Sequence, residues 1–206
     1  LSNEMNCSVL SVDYRLAPEH AYPAAADDCE TVALWLIENL KNEYGTEKIV
    51  VGGESAGAHL CVTTLLRLKN KNVHHKIKAL NLIFGTYNAN TLPSEINAEN
   101  ENLLLSSEMM KKFEDSYLQN KEDKTNPDVS PMFGNFSDLP PAIFTIGTRD
   151  LLLDHTLLMH SRWIAYGNKA ELVIVPGADH AFIAFPCETT SAVIKELNRF
   201  ILNEIS

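Results

Sequence analysis

The chain has 206 residues, of which 45% are hydrophobic, and a formal net charge of −10. This length and composition fit one soluble domain that buries a sizeable core without needing disulfides or a structural metal. The negative charge argues against nucleic acid and anionic membrane surfaces as partners, because both repel an acidic protein. No apolar run reaches the length of a membrane span.

The cysteines are widely spaced and show no metal-binding pattern. They are Cys7, Cys29, Cys61 and Cys187. We therefore expect no metal and no cofactor. A reduced, cytoplasmic compartment is the expected location. The sequence leaves the oligomeric state open.

Apolar runs alternate with amphipathic stretches along the chain. Strands are predicted at residues 8–13, 48–51, 79–84, 142–146 and 171–175, and helices at 24–43, 56–69, 106–119, 153–166 and 189–203. Continuous apolar strands between amphipathic helices indicate an α/β fold, a mostly parallel sheet with helices on both faces. Residues 87–129 interrupt this rhythm, being polar with a single predicted helix that starts near Ser106.

Residues 51–57 contain a Gly-x-Ser-x-Gly motif between a predicted strand and a predicted helix. Such a strand–turn–helix is typical of a nucleophile elbow, which lifts the Ser55 hydroxyl above the sheet. The tight turn predicts that neither Gly53 nor Gly57 tolerates a side chain. The backbone N–H of Ala56, at the helix N-terminus, is expected to be an oxyanion donor.

A serine nucleophile needs a base, and the base needs an acid that orients it. Asp150 follows the predicted strand 142–146, and His180 follows the strand 171–175. Open α/β sheets build their sites where the carboxyl ends of strands meet. Enzymes with this type of nucleophile elbow carry the nucleophile, the acid and the base in the same chain order as Ser55, Asp150 and His180.

Several residues compete for these roles. Asp154 is acidic and close to Asp150, but its position inside the next helix favours a cap or a partner for loop donors. His59 lies one helical turn after Ser55, and its side chain is expected to leave the helix flank. The pair His74 and His75 lies in a Lys- and Asn-rich loop and is expected to be solvated. Too few other ligands lie nearby for a metal site.

Four segments together resemble the block motifs of the hormone-sensitive-lipase-like α/β-hydrolases. They begin at Asp13 (Asp-Tyr-Arg-Leu-Ala-Pro-Glu-His), Gly53 (Gly-Glu-Ser-Ala-Gly), Asp150 (Asp-Leu-Leu-Leu-Asp) and Asp179 (Asp-His-Ala-Phe). Their order and approximate spacing match along nearly the whole chain. The resemblance implies an esterase or lipase acting on carboxylic esters, with Ser55 as nucleophile, Asp150 as acid and His180 as base.

One departure concerns the His-Gly-Gly-Gly loop, which this family carries upstream of the first block and which this sequence lacks. We therefore expect an N-terminally truncated α/β-hydrolase that lacks the first strands. We expect one domain over residues 1–206, with a partial cap insertion at about 87–129. Without the oxyanion donors of that loop, the chain alone is expected to have very low activity.

The expected substrate is a small-molecule ester with a short acyl chain. Tyr87, Leu152 and Phe182 are the candidate substrate-binding residues. In the first block, Arg15 is expected to form an ion pair with Glu19. A peptidase or amidase on the same fold, and a non-catalytic small-molecule-binding relative, stay open as alternatives.

Overall fold

The computed structural model describes residues 5–96, 104–119 and 122–206. The helices are α1 (Ala24–Tyr44), α2 (Ala56–Asn70), the short α3 (Pro93–Ile96), α4 (Ser107–Leu118), α5 (Leu153–Ala165) and α6 (Glu188–Ile205). The strands are β1 (Ile49–Glu54), β2 (Ile77–Ile83), β3 (Ala142–Gly147) and β4 (Ala170–Val175). Single 3-10 turns occur at His74–Lys76, Pro131–Phe133 and Phe182–Ala184.

The four strands form one parallel sheet in the order β1-β2-β3-β4. Helix α2 connects β1 to β2, and α5 connects β3 to β4. Because all strands run the same way, their carboxyl ends lie along one edge of the sheet. The loops after β1, β3 and β4 carry the three predicted site residues, so the topology alone brings those loops to the same edge.

Both faces of the sheet are covered, as its apolar strands require. On one face Leu80 and Leu82 pack with residues of α1, α2 and α5, including the fully buried Trp163. On the other face Ala79 and Ile83 pack with α6. Every residue of β3 is buried. This pattern confirms the predicted mostly parallel sheet with helices on both faces.

Four of the five predicted strands and all five predicted helices are present, with ends shifted by a few residues. The strand predicted at residues 8–13 is wrong, because those residues pair with no strand. Within the described residues no strand pairs with the outer edge of β1. An extended segment becomes a strand only when a neighbour accepts its hydrogen bonds. Val9 is accordingly 62% exposed.

The ion pair predicted between Arg15 and Glu19 is also wrong. Arg15 instead binds Asp28 of α1, with a distance of 2.8 Å between Nη2 and Oδ1. Asp28 binds the backbone of Arg15 as well as its side chain, since Asp28 Oδ2 also accepts from the Arg15 N–H at 3.0 Å. Hydrogen bonds from Arg15 lower the pKa of Asp28 to about 2.

The end of the 87–129 region is attached to α1 and α2 through Arg67. Its guanidinium donates to both carboxylate oxygens of Asp128, at 2.6 and 2.5 Å, and to Asp27 at 2.8 Å. The hydroxyl of Tyr22 donates to Asp128 at 2.7 Å. Two stretches of this region, 97–103 and 120–121, lie outside the described residues. The cap assignment therefore stays a prediction.

None of the helices described, over 5–96, 104–119 and 122–206, is long and apolar enough to cross a membrane.

Candidate active site

Ser55 occupies the sharp turn between β1 and α2. Its φ of 53° and ψ of −117° are strained for a residue with a side chain. A serine preceding a helix ordinarily caps it with its hydroxyl, but Ser55 makes no such side-chain bond. The backbone holds the turn instead, since the Ser55 N–H donates to the Ile83 carbonyl at 2.9 Å. The hydroxyl is thereby left for other partners.

The two glycines of the motif have different surroundings. A Cβ added at Gly53 would overlap the backbone of the first turn of α2, at 2.6 Å from Gly57 O and 2.8 Å from Ala58 N. A Cβ added at Gly57 would meet nothing within 4 Å. The expectation of a steric need is confirmed for Gly53. It is wrong for Gly57, because the turn brings the helix over position 53 and leaves position 57 facing open space.

The loops that carry Asp150 and His180 are bonded to each other. The N–H groups of Thr148 and Arg149 donate to the carbonyls of Val175 and Ala178, each at 3.0 Å. A Cβ at Gly147 would overlap the Ala178 carbonyl, so the absence of a side chain there permits the close approach. These contacts extend the β3–β4 pairing beyond the strand ends. They fix the acid-bearing loop against the base-bearing loop.

The structure brings Ser55, Asp150 and His180 together. His180 Nε2 lies 3.0 Å from Ser55 Oγ, and His180 Nδ1 lies 2.8 Å from Asp150 Oδ2. A carboxylate only accepts hydrogen bonds, so Nδ1 carries the ring proton and Nε2 is left to accept from the serine hydroxyl. This tautomer is the one that a general base needs.

Asp150 is held firmly in its acceptor role. Its side chain has no exposed surface, and its second oxygen, Oδ1, accepts from the Leu152 N–H at 2.9 Å. With one oxygen bound by the backbone and the other by His180, the carboxylate has a single orientation. A buried carboxylate beside the imidazole also favours the positive charge that the ring gains on taking a proton.

The imidazole is covered on one side by an aromatic residue that the sequence analysis did not select. The Phe84 ring centroid lies 4.7 Å from that of His180, and Phe182 lies 6.0 Å from Phe84. Phe84 has a φ of 37°, which turns the chain sharply after β2. Its position was a usable signal, because Phe84 ends a predicted strand at the same sheet edge as the other site residues.

Ala56 is the first residue of α2 and is exposed next to Ser55. The first N–H groups of a helix have no acceptor within the helix, so the N–H of Ala56 is available to an external oxygen. Its place beside the nucleophile is the one that an oxyanion donor requires. The role of Ala56 stays a prediction.

Asp154 has a different partner, as expected. Its Oδ2 accepts from the Ser94 N–H at 2.8 Å, while the Ser94 hydroxyl donates to the Leu151 carbonyl at 2.7 Å. A buried pair between His155 and Glu95, at 3.0 Å, strengthens the same contact between α3 and α5. Asp154 thus attaches the 87–129 region beside the Asp150 loop and does not approach His180.

The histidines outside the site have other partners. His59 Nδ1 lies 3.1 Å from the Thr86 carbonyl, and burial lowers the pKa of its imidazole to about 4. This pairing agrees with the expectation that it leaves the helix flank. His74 is buried, with Nε2 3.0 Å from the Asp138 carbonyl, so its predicted solvation is wrong. The 3-10 turn before β2 places His74 against the loop that precedes β3, whereas His75 is exposed.

The three candidate substrate-binding residues differ in exposure. Tyr87 and Leu152 are fully buried in the two core clusters. The structure therefore does not bring their side chains to the accessible part of the site. Phe182 is half-buried beside Phe84, which packs on the imidazole, and keeps some exposed surface. Across the described ranges, no three His, Cys, Asp or Glu side chains cluster in a way that would hold a metal ion.

Comparison with known proteins gives the same fold. A family model described as "alpha/beta hydrolase fold" matches residues 1–184. An acetyl esterase of Salmonella paratyphi A is 30% identical over 190 residues, which is 90% of this chain and 58% of the relative. The chain thus spans little more than half the length of that relative.

Solved structures show the same likeness. An esterase of Pyrobaculum calidifontis superimposes with a TM-score of 0.91 at 30% identity, covering 97% of this chain and 67% of the esterase. A hormone-sensitive lipase from a metagenome library superimposes with a TM-score of 0.84 at 26% identity, covering 94% and 65%. The fold and the Ser-His-Asp arrangement define the class of α/β-hydrolases. The chain belongs to the hormone-sensitive-lipase-like family of that class.

Proposed function

We propose that this chain carries the catalytic residues of a serine hydrolase that cleaves carboxylic esters. The observation that carries the proposal is the continuous line of hydrogen bonds from Ser55 through His180 to the buried Asp150, at 3.0 and 2.8 Å. The strained turn at Ser55 supports it, because backbone strain of this kind is typical of functional positions. Membership of an esterase-containing family supports the ester class.

In the first half-reaction, His180 Nε2 takes the proton of Ser55 as Oγ attacks the ester carbonyl carbon. The carbonyl oxygen becomes an oxyanion, which the N–H of Ala56 stabilises. Asp150 holds the ring in its tautomer and offsets the imidazolium charge. His180 then gives its proton to the departing alcohol, and the acyl group stays on Ser55.

In the second half-reaction, His180 takes a proton from water, which attacks the acyl carbon. The carboxylic acid leaves, and Ser55 regains its proton from His180. All proton transfers run through one nitrogen, Nε2, because Nδ1 is occupied by Asp150. No step requires a metal or a cofactor.

A short acyl group is the proposed substrate class. One similar relative is named an acetyl esterase. Phe84 packs on the imidazole and is itself buried, so the half-buried Phe182 beside it is the apolar ring with exposed surface in this cluster. The full burial of Tyr87 and Leu152 leaves them no part in a long acyl groove in this arrangement.

The nucleophile is tested with a fluorophosphonate probe, which reacts with activated serines, followed by mass mapping of the modified peptide. We expect the adduct on Ser55 and its loss in Ser55→Ala. Ser191→Ala is the matched control, because Ser191 is an exposed helix serine that binds only the Cys187 carbonyl. Undiminished labelling in Ser55→Ala would refute the proposal.

The acyl preference is tested with p-nitrophenyl esters of acetate and decanoate. We expect hydrolysis of the acetate above the Ser55→Ala background and slower hydrolysis of the decanoate. A preference for the decanoate would leave the nucleophile assignment intact and contradict the short-acyl class alone.

A further inference from the structure

An ion pair crosses between the two loops that carry the acid and the base. Arg149 Nε lies 3.1 Å from Asp179 Oδ1. Arg149 directly precedes Asp150, and Asp179 directly precedes His180. The two oppositely charged residues therefore have the same place in their loops, one position before a residue of the Ser-His-Asp line.

The backbone around this pair is already fixed. The Arg149 N–H donates to the Ala178 carbonyl at 3.0 Å, and the Gly177 N–H donates to the Thr148 hydroxyl at 2.8 Å. The Arg149 side chain is 55% exposed and that of Asp179 is 29% exposed. An ion pair with this exposure contributes little to folding stability. Its consequence must therefore be sought in the charge that it presents to its neighbours.

That neighbour is His180, which alternates between neutral and positive forms in the proposed reaction. Its ring contacts Asp150 through Nδ1, Ser55 through Nε2 and the Phe84 face. Asp150 is the charge bonded to this ring, and Arg149 and Asp179 directly precede Asp150 and His180 in their loops. The Asp179 carboxylate favours the imidazolium and the Arg149 guanidinium opposes it, so the intact pair nearly cancels its own effect.

We propose that Arg149 and Asp179 are positioning residues that join the two loops and keep the net charge beside His180 close to neutral. The inference rests on the proposed hydrolase function, since it assigns the pair to the base of that reaction. With the two charges paired, stabilisation of the imidazolium is left to Asp150, which is bonded to the ring.

The test is the pH dependence of fluorophosphonate labelling in four variants. Labelling requires neutral His180, so its rate rises with pH through a midpoint. Arg149→Ala leaves the Asp179 carboxylate unpaired, which moves that midpoint up by about 0.5 pH unit. Asp179→Asn leaves the guanidinium alone, which moves it down by a similar amount.

The double variant Arg149→Ala/Asp179→Asn is expected to return the midpoint to the wild-type value, and Arg149→Lys is expected to keep it. Both single shifts should shrink in 0.5 M NaCl, because salt screens partly exposed charges. A merely structural pair would lower the plateau rate in both single variants and leave the midpoint unchanged. That result, or shifts of the same sign in both, would overturn the proposal.

The imidazole NMR titration of His180, assigned by its loss in His180→Asn, reads the same midpoints without any reaction of Ser55. If the wild type fails to react with the probe while these midpoints move in opposite directions, the proposed hydrolase fails and the charge effect stands. Unmoved NMR midpoints overturn the pair whatever the probe does.

Discussion

Replacing Gly53 by alanine is expected to damage both the stability and the reactivity of the elbow. The added Cβ would lie 2.6 Å from Gly57 O and 2.8 Å from Ala58 N. These are backbone atoms of the first turn of α2, so no side-chain rotation relieves the overlap. Ordinary contacts of a Cβ are near 3.5–4 Å, and about 1 Å of displacement is needed at the N-terminus of α2.

Overpacking of this kind typically costs about 1–3 kcal/mol, and we expect Gly53→Ala at the upper end because only backbone can move. Gly57→Ala is the matched control within the same motif. Nothing lies within 4 Å of its added Cβ, and alanine is favoured over glycine in a helix by up to about 1 kcal/mol. Gly53→Ala should thus be less stable than the wild type and Gly57→Ala slightly more stable, with a difference of up to about 4 kcal/mol between the two variants.

Urea unfolding gives the free energies, and fluorophosphonate labelling reports the position of the Ser55 hydroxyl. We expect Gly53→Ala to be destabilised and to label poorly even under conditions where it is fully folded. Gly57→Ala is expected to retain both properties. Equal losses of stability and labelling in the two variants would refute the reasoning. They would show that both motif glycines are needed, whatever space surrounds each of them.

Three further outcomes follow from other sites. Burial lowers the pKa of His59 to about 4, so between this value and the ordinary one the unfolded chain binds a proton that the folded chain does not. The free energy of unfolding should therefore fall by about 3 kcal/mol as the pH drops from 6.5 to 4. Urea melts of His59→Gln should show a smaller fall over the same pH range. Arg67→Met leaves the partly buried Asp128 carboxylate without its cation and should cost about 3 kcal/mol in the same assay, whereas Lys41→Met, at an exposed pair, should change stability by less than about 0.5 kcal/mol. Asp150→Asn should reduce probe labelling on the order of 10⁴-fold with little change in the thermal melting midpoint, because the amide favours the wrong His tautomer; a small reduction would refute its role as the orienting acid.

Strand ends were the most informative feature of the sequence for the site. In a parallel sheet all carboxyl ends meet at one edge, so Asp150 and His180 could be placed beside Ser55 without knowing any distance. The same reasoning applied to Phe84 would have placed it there too. Strand ends do not tell in which direction a side chain points. Tyr87 and Leu152 were therefore predicted to bind substrate, although both side chains are buried in the core.

The prediction at residues 8–13 failed for a different reason. An apolar, β-rich segment has the propensity for a strand, but a strand forms only with a partner for its backbone hydrogen bonds. Among the described residues β1 pairs with β2 on one side and with no strand on its other edge. The ion pair of Arg15 failed similarly, since the partner thirteen residues away in α1 was no more visible in the sequence than the nearby Glu19.

Local patterns in the chain were enough to predict the alternation of strands and helices, the parallel sheet and the grouping of Ser55, Asp150 and His180. Each of these depends on local periodicity or on a motif within a few residues. Only the tertiary structure decided that Gly53 and not Gly57 is sterically required, and that Arg149 faces Asp179. Those features depend on which loops approach each other and how closely, and chain order does not encode such distances.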